Sequence, residues 1–306
     1  MAKVMYSSRA SARPRQKVQP LRVGSLVAGF IAVMAALLVA MPFIISVSTS
    51  LMTLREALSF PPKLAPSNPQ WANYLRAWQG APFGRYFANS LIISITITVG
   101  QIVTSILAAY AFSRLHFPGR NALFGLFLAT LMVPSYVVLI PNYLTLSRLG
   151  TWSTQNLNLN LGINSYAALI LPFLASGFSV FLIRQRFKGV PRDLEDAAMI
   201  DGASRWIMLW RIFVPLARPS IATAALFTFL SEWNSYLWPL IVTDTDRMRT
   251  VQIGLASFQA VSEEEGLTHW PILLAASVIV LVPTLIAFVL AERQLIRGVT
   301  LSGLKG

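Results

Sequence analysis

Cysteine is absent from this chain, and its two histidines, His116 and His269, stand far apart with no other metal-ligating types arranged around them. No disulfide framework, thiolate metal site or cysteine nucleophile is available, and no metal site is expected. Charge is scarce as well. Asp, Glu, Lys and Arg make up 12% of the residues, where an ordinary soluble domain carries about 25%. None of the five lysines precedes a serine or threonine, so the Gly-Lys-Ser/Thr ending of a phosphate-cradling loop is missing. No Ser/His/Asp order, no HExxH pattern and no pair of intramembrane acids is there to hydrolyse a substrate within a bilayer. The chain is therefore expected to be no enzyme and to bind no cofactor itself.

What is present is apolar and comes in blocks. Of the 306 residues 55% are hydrophobic, with a mean hydropathy of +0.60. Six stretches have bilayer-spanning length, at about residues 23–47, 86–112, 121–143, 166–183, 221–242 and 270–290. This predicts an all-α membrane protein with a six-span body over 23–290, a basic tail at 1–22 and a second tail at 291–306. The first stretch is too long for the apolar region of a signal peptide and lacks a clear small-residue cleavage site, so it is expected to be an uncleaved span. The second carries Asn89, Ser90, Gln101 and several more hydroxyls, which suits a helix facing other helices or a wet cavity. Pro134 and Pro141 interrupt the third, and broken helices are tolerated where protein or a cavity covers the freed backbone groups. Thr243 to His269 reads as a polar, acidic loop.

Charge placement orients these spans. The net charge is +13, and most of the basic residues fall in the first tail, the turn at 113–120, the stretch around 184–218 and the last tail. Basic residues concentrate on cytoplasmic segments, so both termini and the 191–219 stretch are expected in the cytoplasm. The same placement argues against nucleic acid as a partner. Glu232 is the one charged side chain inside an assigned span. A carboxylate there is costly and marks a candidate functional site, although a Glu near a helix end, protonated or paired, is the plainer alternative.

Between the fourth and fifth spans lies Pro191–Pro219, which reads as two short helices around a glycine corner. Asp193 is expected to cap the first helix, accepting from the backbone near Asp196. Gly202 is expected to supply the left-handed exit, and Ser204 to start a second helix that Pro215 and Pro219 limit. An exposed, acid-bearing helix pair wedged between spans has the character of a docking surface. Joined to a polar-lined bundle with no phosphate-binding loop, it fits a transport pathway driven by another subunit. A secondary transporter would more often show coupling groups in both halves of a repeat.

At these residues the chain resembles a known family. Glu195-Asp196-Ala197-Ala198-Met199-Ile200-Asp201-Gly202-Ala203, followed by Ile212 and Pro215, is similar to the EAA loop of bacterial ABC importer permeases. Asn89-Ser90-Leu91, Tyr110 to Arg114, Ile140-Pro141 before Leu149-Gly150, Trp233-Asn234 with Trp238-Pro239-Leu240, and Gly303 to Gly306 resemble the carbohydrate-importer branch, in particular the maltose-type second permease subunit. The resemblance implies a heterodimer with a homologous permease, two ABC ATPase subunits that bind ATP and Mg, a solute-binding protein outside, and a sugar or oligosaccharide as solute in a lipid-embedded inner-membrane complex. It implies that Glu195, Asp196, Ala197, Ala198, Asp201, Gly202 and Ala203 seat on an ATPase. The family's usual Glu before the alanine pair is Asp196 here, which leaves open whether Glu195 or Asp196 makes the main contact.

For the solute pathway the candidates are Glu232, Trp233, Asn234, Tyr236, Gln101 and Asn89, whose rings and amides suit a sugar. Helix packing and an interfacial aromatic belt explain the same residue types equally well. The alternatives are a glycerol 3-phosphate or polyol importer permease of the same family, an ion-coupled secondary transporter, and a membrane scaffold.

Overall fold

A computed structural model describes residues 23–264 and 269–300. The basic tail at 1–22 and the closing Gly303 to Gly306 lie outside the described residues. The chain divides after Ile45, and the helix before that point, most of α1 (Val23–Ser50), is apolar along its whole length.

From Ser46 onward the elements form one unit. Two short helices, α2 (Leu54–Ala57) and α3 (Ala72–Gln79), lead into α4 (Phe83–Arg114). At 32 residues, α4 is about 48 Å long at 1.5 Å per residue, enough to cross a bilayer and protrude. It buries Ile93, Ile97, Ile106 and Ala109 together with Asn89, Ser94, Gln101 and Ser105, so its inner face is mixed rather than apolar. Helices α8 and α12, introduced below, flank it.

The third predicted span is shorter and more broken than expected. Helix α5 (Arg120–Ala129) runs on through a 3₁₀ turn to Met132 and stops. Val133 is extended at φ −82°, ψ 118°, as a residue before proline tends to be, and Pro134 cannot donate to a continuing ladder. The chain turns helical again only in α6 (Leu139–Leu157). The fourth span is also interrupted: α7 (Tyr166–Ile170) and its 3₁₀ extension meet α8 (Gly177–Lys188) at 43°.

The Pro191–Pro219 stretch folds as the expected helix pair. Its first helix is α9 (Arg192–Ile200), and its second begins with α10 (Arg205–Met208), continues through a π turn at Leu209–Phe213 and ends in α11 (Val214–Leu216). One expectation fails. Asp193 does not cap α9; Pro191 occupies the cap and Asp193 lies inside the first turn, where its charge suits the helix dipole instead. After a 78° bend the chain enters α12 (Arg218–Trp233), followed by α13 (Leu237–Val242).

The segment after Thr243, read from the sequence as a polar loop, contains a helix, α14 (Val251–Glu264). Val251, Ile253 and Leu255 pack inward along it, an apolar pattern that the neighbouring acids mask in the sequence. The last helix, α15 (Trp270–Thr300), outruns the predicted sixth span.

Among the described residues three helices are long and apolar enough to cross a membrane, and up to five spans result if each bent pair counts as one. Three apolar clusters hold the unit together. One lies at the docking-loop end around Tyr110, Phe187 and Phe213. The second surrounds Phe83, Tyr86 and Trp233 at the opposite end of α4. The third joins Ile93 and Ile97 to Leu169 and Trp238.

Candidate functional site

Two features carry chemistry, and α4 runs between them. At its docking-loop end, the corner after α9 is closed by backbone alone. The N–H of Gly202 donates to Met199 O and that of Ala203 to Ala198 O, the paired bonds of a Schellman ending. Gly202 has φ +78°, a region that costs a residue with a Cβ roughly 1–2 kcal/mol. Ser204 then caps the second helix, its hydroxyl accepting from the Ile207 N–H.

The loop's candidate residues face different ways. Ala198 is buried in the apolar cluster, and Ala203 packs partly against it. Asp196, Ala197, Asp201 and Gly202 are exposed. Glu195 turns inward, and its Oε2 lies 3.1 Å from Arg114 Nη1 at the end of α4. Arg114 Nη2 donates to the carbonyls of Phe187 and Val190, both at 2.6 Å. Its guanidinium also stands 4.9 Å from the centre of the Phe213 ring.

Further along α4, Gln101 opens onto a cleft of about 710 Å³, within the range of ligand-binding clefts. Thr130, Ser135, Ser176, Ser231 and Glu232 contribute polar groups to its lining, and Phe178 and Phe227 contribute apolar surface. The two rings meet edge to face at 5.9 Å. The Gln101 amide donates to Ser179 Oγ at 2.9 Å and Thr228 Oγ1 at 2.8 Å, tying α4 to α8 and α12. The break between α7 and α8 borders this cleft, with Ala175, Ser176 and Gly177 in its wall. Thr104 donates to the Leu174 carbonyl at the break, and Ser176 caps α8 through the Ser179 N–H. Irregular backbone is thus both covered and turned toward a cavity, the one setting in which it is tolerated at membrane depth.

Of the six pathway candidates, the cleft brings together Gln101 and Glu232. The others point elsewhere. Trp233 is 1% exposed and donates from Nε1 to Val280 O in α15. Asn89 donates to Arg247 O and Arg249 O and accepts from the Tyr166 hydroxyl, which clamps the segment before α14 onto α4. Asn234 bonds back to Leu230 O, and Tyr236 is exposed before α13. Ser179, Thr228, Ser135 and Arg114 were not singled out for these roles. Nothing in their local spacing marks them: Ser179, Thr228 and Arg114 have partners on other helices, and Ser135 lines the cleft from the break after α5.

The chain was compared with known proteins. The family described as "Binding-protein-dependent transport system inner membrane component" matches residues 101–295. The sn-glycerol-3-phosphate transport system permease protein UgpE of Yersinia pestis bv. Antiqua (strain Antiqua) is 33% identical over 272 residues, covering 87% of this chain and 92% of the relative. The arabinooligosaccharides transport system permease protein AraQ of Halalkalibacterium halodurans is 36% identical over 221 residues, covering 72% and 74%. A chain in the crystal structure of a bacterial ABC transporter involved in the import of the acidic polysaccharide alginate superposes with a TM-score of 0.75 at 22% identity, covering 89% of this chain and 96% of that one.

Proposed function

The chain belongs to the binding-protein-dependent transport system inner membrane components, a non-catalytic permease family, and from that premise we propose that it forms half of a translocation pathway for a sugar or oligosaccharide. In this reading the chain crosses the membrane six times, with both termini and the α9–α10 loop in the cytoplasm. Its spans are α1, α4, the broken stretch from α5 into α6, α7 with α8, α12 with α13, and α15. The 78° bend between α11 and α12 is then the corner between the docking loop and the fifth span. Exposed Asp196, Ala197, Asp201 and Gly202 meet an ATPase, which carries ATP and Mg. A homologous permease completes the pathway, and a solute-binding protein delivers from outside.

The observation that carries this reading is the cleft at Gln101. It carries several polar groups within a larger apolar lining, is open and bordered by a broken span, and is set along the same helix whose end packs against the docking loop. Glycerol 3-phosphate, named for one relative, is the second reading. Among the described lining residues the charged one is the carboxylate Glu232 and none is a cation, which favours hydroxyl groups over a phosphate.

The test is uptake into proteoliposomes holding the whole complex, using the solute that its binding protein takes up from a calorimetric panel of sugars and glycerol 3-phosphate. Uptake should require internal or external ATP at the ATPase side and the binding protein, and should survive an ionophore. Uptake that persists without ATP and collapses with the ionophore means a secondary transporter instead.

A further inference from the structure

The docking loop offers two adjacent acids, and the structure treats them differently. Asp196 is exposed. Glu195 is paired at 3.1 Å with an arginine whose side chain is 8% exposed, its own side chain being 18% exposed. A half-buried pair of this kind is costly to break, because one charge is left without its partner in a poorly hydrated place. Arg114 also braces the end of α8 by donating to the carbonyl of Phe187 in its last turn and to that of Val190 just past it. One guanidinium therefore joins three elements: α4, the end of α8, and α9.

We propose that Arg114 and Glu195 form a clasp that makes the docking helix move as one body with α4 and α8, so that Glu195 is a positioning residue and Asp196 is the acid offered to the ATPase. The proposal rests on the reading of the loop as an ATPase seat. Gln101 lies 13 residues before Arg114, about 20 Å along the same helix, and Ser179, its partner, is on α8. A displacement of α9 is thereby delivered to α4 and α8, two of the three helices joined by the cleft's central hydrogen bonds, without passing through the Gly202 corner.

The experiment uses the assembled transporter with its partner subunits made cysteine-free; this chain has no cysteine of its own, so the introduced pair are the only labelling sites. Spin labels at Arg192→Cys on α9 and Leu107→Cys on α4 report their separation by pulsed electron resonance, without nucleotide and with ATP plus vanadate. With the clasp intact, the distance is the same in both states. Glu195→Gln keeps the side chain's size and leaves Arg114 its carbonyl bonds. It should hold the resting distance, shift it on ATP plus vanadate, and cut the stimulation of ATPase activity by the binding protein about fivefold or more, the usual scale of coupling between sites.

An unchanged distance in Glu195→Gln under ATP plus vanadate overturns the clasp. A distance already altered at rest also overturns it, since that reports packing alone. If Glu195→Gln fails to assemble, Arg114→Lys, which keeps the charge but not the fork, is read by the same two criteria. Asp196→Asn should instead weaken retention of the ATPase subunits and leave the distance alone; retention equal to wild type overturns the assignment of the two acids. ATPases that never associate with the wild-type complex overturn the docking reading, and the clasp with it.

Discussion

The amide nitrogen of Gln101 on α4 stands 2.8 Å from the hydroxyl of Thr228 on α12, and the same nitrogen reaches Ser179 on α8. Three helices thus meet at one side chain, at the edge of the cleft. Replacing it tests whether the cleft depends on that tie. Gln101→Leu preserves size and removes both donors, leaving two hydroxyls to find other partners. Interhelical bonds of this kind in membranes average about 0.6 kcal/mol each, so a loss of about 1 kcal/mol is expected. The purified complex should melt somewhat lower while still assembling, and uptake should fall by more than the loss of folded protein explains.

Gly202 separates two causes of glycine dependence. A Cβ built there meets nothing within 4 Å in this chain, so the intrinsic penalty is the left-handed φ alone, roughly 1–2 kcal/mol. Asn tolerates that conformation better than Ala. If backbone strain is all that matters, Gly202→Asn should retain ATPase subunits better than Gly202→Ala. If an ATPase surface lies against the glycine, both should lose them, and Gly202→Asp should lose them with transport abolished. Co-purification of the ATPase subunits with each variant distinguishes the two.

How much of this was legible in the sequence depends on the range of the interaction. The helix pair within Pro191–Pro219, the Gly202 corner and the Ser204 cap are local, set by residues within a few positions, and all are found. The capping role of Asp193 fails because Pro191, with its fixed φ, takes the entry position two residues earlier. Helix α14 was hidden by acids near its end, although Val251, Ile253 and Leu255 face the core. The bend at Leu174–Ser176 has no proline at its centre, since Pro172 lies in the turn before it. The Arg114–Glu195 pair spans 81 positions and no periodicity reports it. Asn89 and Gln101 are alike as intramembrane amides in the sequence; only tertiary placement separates a loop clamp from a cleft residue.

Gly150, in the second half of α6, should be harder to replace than Gly100 on α4. A Cβ on Gly150 would stand 2.7 Å from the Gly162 Cα, a backbone atom that cannot turn aside. At Gly100 the nearest atom is the Leu174 Cδ2, the end of a flexible side chain. Gly150→Ala should therefore lower the melting temperature of the complex more than Gly100→Ala. Overpacking costs typically about 1–3 kcal/mol, with Gly100→Ala at or below the low end.

The Leu51–Gln70 connection carries a pH signature. Glu56 accepts from the backbone N–H groups of Thr53 and Ser67 and from the Thr53 hydroxyl. These bonds favour the carboxylate, and the Thr53 backbone bond foremost holds its pKa down from 4.5 to about 2. A group whose folded value is depressed contributes stability that is present above its unfolded value and lost as pH falls through its folded one. The connection should thus stay closed at neutral pH and loosen only between about pH 4.5 and 2. Pepsin, with its own pH dependence corrected on a free peptide, should cut near exposed Phe60 and Leu64 faster across that window. Glu56→Gln should show no such rise.

Glu232 is the sharpest test of the cleft. It lines the cavity with Gln101, and none of the ion pairs among the described residues includes it. A structural carboxylate at this depth would be expected to have a bonded partner, since an unpaired one costs several kcal/mol or more. A carboxylate kept for solute is under no such requirement, because solute hydroxyls and water supply its bonds. Glu232→Gln keeps the shape and most of the hydrogen-bonding capacity and removes the charge. Melting temperature and ATPase retention should match wild type, while the rate of uptake at saturating binding protein falls. Glu232→Lys should go further and admit anionic solutes that the wild type excludes, if the carboxylate is what selects against them. Wild-type uptake in both variants would reduce Glu232 to a bystander at the cleft's rim and move the pathway to the partner permease.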